Sequence, residues 1–152
     1  MQISAYEIAQ RFVGVEEADG PTTDPQILAM LRLDAKWVED DETPWCSAFC
    51  NYIAWLLRLP RSKSLAARSW LRVGIPITIE EAIVGFDVVV LTRGTPPQPG
   101  PEVLRAPGHV GFFASLEFNR VWLLGGNQGD TVSVAPYDAG RVLGVRRLWG
   151  YE

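Results

Sequence analysis

Apolar residues recur every three or four positions through the first half of the chain and, after Gly85, gather into short runs, so the pattern predicts helices followed by strands. Ser4 and Glu7 have the spacing of a capping box, with Ile3 and Ile8 placed as its hydrophobic staple. They predict a helix over residues 5–13 that stops at Gly14. A polar, turn-rich stretch covers residues 16–23, and Asp24-Pro25 then opens a second amphipathic helix bearing Ile27, Leu28 and Leu31. Over residues 44–58, Cys46, Phe49, Cys50, Ile53 and Leu57 fall on one stripe, flanked by Trp45, Tyr52 and Leu56. So wide an apolar surface predicts a central helix, with Thr43 as its N-cap, Pro44 at its first position and Pro60 ending it. Ser64 is placed to cap a shorter helix over residues 65–73 that carries Trp70 and Leu71 and stops at Gly74.

The strand half begins with Asp87-Val88-Val89-Val90-Leu91. Residues 93–108 hold five prolines and three glycines, too irregular for an element and long enough for a rim or lid loop. His109-Val110-Gly111-Phe112-Phe113-Ala114 reads as a strand with His109, Gly111 and Phe113 on one face, and Val121-Trp122-Leu123-Leu124 as the next. Residues 131–134 and 142–149 add two more strands. The expected architecture is α+β: N-terminal helices packed on a C-terminal antiparallel sheet, in one domain over residues 1–152.

Composition narrows the function. With 152 residues and 47% hydrophobic content, the chain can bury a core without cross-links. A net charge of −4 with scattered Lys and Arg argues against a nucleic-acid partner. The N-terminus has neither a basic leader nor an apolar core, and no stretch is long enough to span a membrane, so synthesis as a soluble cytoplasmic protein is expected; a monomer is expected as well. Cys46 and Cys50 would lie on one helix face and close almost no loop, and the single histidine, His109, leaves too few ligands for a zinc cage. No metal or cofactor is expected.

The chemistry centres on Cys46. As the third residue of a helix it would meet unpaired backbone N–H groups and the positive end of the helix dipole, both of which favour a thiolate. A cysteine hydrolase also needs an imidazole and a polar group that orients it. His109, at a strand start, is the one candidate base; Asn127, in Gly125-Gly126-Asn127-Gln128-Gly129-Asp130, is the candidate third residue, with a plain hairpin turn as its alternative. Gln128 is placed either to orient His109 or to donate to an oxyanion, beside the Cys46 backbone N–H as first donor. Simple packing remains the alternative for Cys46 and the preferred reading of Cys50. Trp45 is either a wall of the site or core, and Asp41 and Glu42 are placed to bind a substrate ammonium.

Trp45-Cys46-Ser47-Ala48-Phe49, Gly108-His109-Val110-Gly111-Phe112-Phe113 and Gly125-Gly126-Asn127-Gln128-Gly129-Asp130, in this order, resemble the blocks of the CHAP and NlpC-type peptidoglycan hydrolase superfamily. The resemblance is to small single-domain phage endolysins and secreted amidases. It implies a papain-like core in which Cys46 attacks an amide carbonyl, His109 shuttles the proton and the Asn127 position orients the imidazole. It also implies cleavage of a peptidoglycan stem peptide through a thioester, in the periplasm or cell wall after holin- or secretion-mediated release. An immunity protein or inhibitor is an expected partner. Some relatives bind calcium ahead of the cysteine, but Asp40-Asp41-Glu42 lacks the spacing of a calcium loop. Two competing readings are an effector acting on a protein or glutamine amide with the same triad, and a non-catalytic virion or wall-binding module.

Overall fold

The computed structural model describes residues 2–19, 22–39 and 43–149. Helix α1 (Ala5–Gln10) is held by the predicted capping box: the Ser4 hydroxyl accepts from the Glu7 N–H, and the Glu7 carboxylate accepts from the Ser4 N–H. It ends earlier than periodicity suggests, in turns that reach Gly14 at φ 98. Helix α2 (Pro25–Arg32) starts as expected, with Asp24 accepting from the N–H groups of Gln26 and Ile27.

The central helix α3 (Cys46–Leu56) begins two residues after the predicted start. Trp45, not Thr43, precedes its first turn, no side chain caps it, and Cys46 is the first helical residue, not the third. Packing decides the boundary here. Trp45, Phe49, Cys50, Ile53 and Ala54 are completely buried, and each large side chain among them contributes roughly 1.5–3 kcal/mol, more than a typical N-cap. The helix ends at Arg58, whose left-handed backbone (φ 57) lets the Leu59 N–H reach the Ala54 carbonyl and its own N–H reach that of Trp55. This is a Schellman closure built on arginine where glycine is usual. The predicted helix after Ser64 is a short 3-10 helix, Ala67–Arg72, and Ser64 does not cap it.

Among the described residues six strands form one antiparallel sheet: β1 (Ile75–Ile77), β2 (Asp87–Thr92), β3 (Gly108–Glu117), β4 (Arg120–Gly125), β5 (Ser133–Asp138) and β6 (Val142–Arg147), in the order β1-β6-β2-β3-β4-β5. β1 escaped prediction because Pro76 interrupts it, and it takes an edge place, where proline is tolerated. β5 starts at Ser133 and not at residue 131, because residues 130–132 pair instead with residues 15–17. The helices cover the sheet face bearing Val88, Val90, Val110, Phe112 and Leu124. On the other face Val89, Leu91, Phe113, Val121, Leu123 and Val145 form a second cluster. The α+β expectation therefore holds, with α3 laid across β3 and β4.

Because a left-handed non-glycine residue costs about 1–2 kcal/mol, Arg58→Gly is expected to stabilise the protein by about 1 kcal/mol, read as a higher urea midpoint at unchanged m-value.

Candidate active site

Cys46 opens α3 and packs against the start of β3. Its sulfur lies within reach of the backbone N–H groups of Val110, Ser47 and Cys46 itself. One helical turn on, the Cys50 thiol faces the Val110 carbonyl at 4.0 Å. The registered pairing of β3 with β4 begins only at Phe112, so the two cysteines cover the polar backbone of Val110. Cys50 therefore has a backbone partner as well as a packing role. Ser47 ties the same turn down from behind: its hydroxyl donates to the Ser64 carbonyl at 2.6 Å and accepts from the Trp70 indole at 2.9 Å.

The imidazole of His109, next in sequence to Val110, is buried and has two partners. Its Nε2 lies 2.9 Å from Gln128 Oε1 and 3.2 Å from the Tyr137 hydroxyl. The Gln128 amide nitrogen donates to the carbonyls of Leu123 (3.2 Å) and Ser133 (2.7 Å), which fixes the amide with its oxygen toward His109. That oxygen requires a proton on Nε2, and so assigns a bare, basic Nδ1 to the neutral ring. With its NH2 group held by two carbonyls, Gln128 turns its oxygen, and not its NH2 group, toward His109. Tyr137 lay beyond the strand predicted over residues 131–134, and no local motif marks it. Its ring packs on the imidazole with centroids 5.2 Å apart, and the Arg141 guanidinium carbon sits over the Tyr137 ring, 5.2 Å from its centroid.

Asn127, the sequence candidate for the third residue, stands in the turn at φ 58, and it is its neighbour Gln128 that meets the imidazole. The left-handed backbone of Asn127, Gly129 and Asp130 folds the turn back so that Gln128 points inward. Two glycines make the fit possible. A Cβ on Gly125 would stand 2.8 Å from Gln128 Oε1, and one on Gly126 would stand 2.6 Å from the Trp45 ring and 2.8 Å from Phe49 Cβ. Trp45 is completely buried beneath Gly126, with its indole N–H donating to Glu17 at 2.8 Å; of the two roles left open by the sequence it takes core packing, and it presents no wall to substrate. Asp41 and Glu42, the other substrate-binding candidates, lie outside the described residues.

Burial governs the charge states. It pushes the Cys46 thiol up against the pull of the surrounding N–H groups and the Arg93 cation, so the resting group is a thiol, contrary to the expectation from helix position alone. Burial also lowers His109 from 6.5 to about 4; the hydrogen bond to Gln128 opposes this, and the Arg93 and Arg141 cations reinforce it. Tyr137 is pushed up to about 12, chiefly by burial. Thiol and imidazole are both neutral near pH 7. A cleft of about 360 Å³ opens on Cys46 between residues 65–67 and the loop carrying Arg105 and Pro107. A larger groove of about 900 Å³ lies at the other end of α3, beside Trp55 and Arg72, and contains neither a thiol nor the imidazole. Among the described residues no cluster of three His, Cys, Asp or Glu side chains is placed to hold a metal ion, and no helix is long and apolar enough to cross a membrane.

No protein-family model matches the chain, and no curated protein matches it significantly. Solved structures do. NlpC1 from Trichomonas vaginalis aligns over 97% of this chain and 44% of its own, at 15% identity and a TM-score of 0.54. NlpC2 from the same organism aligns over 97% of this chain and 46% of its own, at 16% identity and a TM-score of 0.55. The chain thus has an NlpC-type papain-like fold, and it spans less than half the length of either protein.

The lowered value of His109 makes stability depend on acid. Between pH 6.5 and about 4 the unfolded chain takes up a proton that the folded chain refuses, so stability is complete above 6.5 and is lost as pH falls toward 4. The full effect is about 3 kcal/mol. Urea unfolding at pH 7 and pH 4.5 is expected to show this loss in wild type and a smaller one in His109→Gln; equal losses would contradict it.

Proposed function

We propose, from an NlpC-type papain-like fold that sets Cys46 against the strand carrying His109, that this chain is a cysteine amidase or endopeptidase acting on an amide bond of peptidoglycan stem peptides. The observation that carries the reading is the Gln128 amide. Its two carbonyl acceptors leave its oxygen for His109 Nε2, so the neutral imidazole has a bare Nδ1, which in this reading serves the Cys46 thiol packed against the start of the same strand. The resemblance of the three sequence blocks to CHAP and NlpC-type hydrolases supplies the substrate class.

In this reading both groups start neutral. As the Cys46 sulfur attacks the amide carbonyl carbon, its proton passes to His109 Nδ1, and the imidazolium is steadied by the Gln128 oxygen. The carbonyl oxygen becomes an oxyanion and takes the Cys46 backbone N–H, which no α3 carbonyl accepts because Cys46 is the first residue of the helix. His109 returns the proton to the departing amine, leaving a thioester at Cys46. Water then attacks the thioester carbon, giving its proton to His109 and a hydroxyl to the product acid, and the thiolate recovers the proton. Gln128 is the positioning residue; Asn127 serves the turn. The proposed place of action is the bacterial cell wall, reached after holin- or secretion-mediated release.

Purified sacculi digested with wild type are expected to release muropeptides bearing new amine and carboxyl ends, detected by mass spectrometry, and Cys46→Ala is expected to release none. Equal products from both, or none from either, would remove the peptidoglycan assignment; turnover of protein or glutamine amides with intact sacculi would instead identify the effector reading. On the same substrate Gln128→Ala is expected to lower kcat by on the order of 10²-fold with little change in KM. Asn127→Gly, which suits φ 58, is expected to leave kcat unchanged.

A further inference from the structure

The charged side chains lining the Cys46 cleft are both arginines, Arg93 and Arg105. Both are exposed, and neither has an ion-pair partner among the described residues. They are nevertheless set on fixed backbone. Arg93 follows the last residue of β2, Thr92, whose carbonyl accepts from the Arg141 guanidinium at 2.8 and 3.2 Å. Arg105 stands in a loop whose two limbs are gathered by one completely buried side chain, Arg68, which donates to the carbonyls of Pro99, Gly100 and Val103 on one limb and of Pro107 on the other. The irregular stretch over residues 93–108 is thus an arch strung from a buried guanidinium, with a cation at each end facing the cleft. The field of Arg93 also reaches Cys46, His109 and Tyr137.

A guanidinium fork matches the two oxygens of a carboxylate, and two forks converging on a cleft of this size select an anionic group over a neutral or cationic one. The long apolar walls offered by Pro44, Leu65 and Ala67 suit a peptide backbone running past the thiol. We propose that Arg93 and Arg105 form a carboxylate-binding subsite beside Cys46, so that the substrate is a peptide with a free carboxylate close to the scissile amide. The proposal rests on Cys46 being the nucleophile.

The test compares alkylation of native protein by iodoacetate and iodoacetamide, which place the same leaving group on an anionic and a neutral reagent. The ratio of their rate constants at Cys46 cancels the thiolate fraction, and glutathione gives the ratio for an unguided thiol. The expected ratio exceeds that of glutathione by about tenfold or more, falls as salt is raised, and returns to the glutathione value in the Arg93→Gln/Arg105→Gln double variant. Because both arginines are exposed, circular dichroism and the thermal midpoint are expected to stay at wild-type values. A ratio equal to that of glutathione, or one unchanged in the double variant, overturns the subsite while leaving Cys46 reactive. Alkylation of Cys46 by neither reagent overturns the nucleophile assignment and the subsite with it.

Discussion

The contact on which the site depends is that between the Trp45 ring and the backbone of Gly126. No side chain fits at position 126, because its first carbon would stand 2.6 Å from the indole. The close approach joins two parts of the chain that carry different halves of the candidate site. Trp45 precedes Cys46 at the start of α3, and Gly126 precedes the turn that delivers Gln128 to the imidazole. Burying a tryptophan this completely supplies the energy, and the Glu17 carboxylate that accepts its indole N–H removes the polar cost. Helix start and orienting turn are thereby held in one relation, and β3 carries His109 between them.

The same burial sets the chemistry of the pair. A thiol at a helix start is usually described by its favourable dipole, yet Cys46 is almost wholly removed from water, and desolvation outweighs the N–H groups and the cation around it. His109 experiences the same effect in the opposite sense, because burial penalises its charged form. Two neutral groups leave no charge on the thiol or the imidazole at rest. In the proposed reaction charge appears only when a substrate carbonyl accepts the sulfur; the Gln128 oxygen would then meet the imidazolium and the Arg93 cation the negative charge.

Elements fixed by local chemistry were legible in the sequence: the Ser4/Glu7 capping box, the Asp24-Pro25 helix start and the change of period after Gly85. Elements fixed by distant contacts were not. Thr43 and Pro44 form a good local signal for a helix start, but the burial of Trp45 moves the boundary to Cys46. Residues 131–132 have strand composition and pair with Val15 and Glu16, not within β5, which displaced the predicted strand and hid Tyr137. The choice between Asn127 and Gln128 was open because two adjacent amides in a glycine-rich turn are equivalent on paper; the left-handed backbone of Asn127 and the carbonyls of Leu123 and Ser133 distinguish them. Arg68, unremarkable in sequence, is the buried anchor of the proline-rich arch.

The pairing of residues 15–17 with residues 130–132 has a consequence for when the site exists. The Thr131 hydroxyl bonds the Val15 carbonyl across a sequence separation of 116, and the Val132 N–H meets the same carbonyl at 2.8 Å. Contacts closing so long a loop form late, after local helices and hairpins have reduced the entropy of joining the ends. The turn that aims Gln128 lies inside this closure, as does the carboxylate that steadies Trp45. A chain emerging from the ribosome can therefore carry a formed α3 and an exposed Cys46 without an oriented imidazole. The candidate site is thus assembled only with the final closure of the fold, and a partly made molecule has the cysteine without the oriented imidazole.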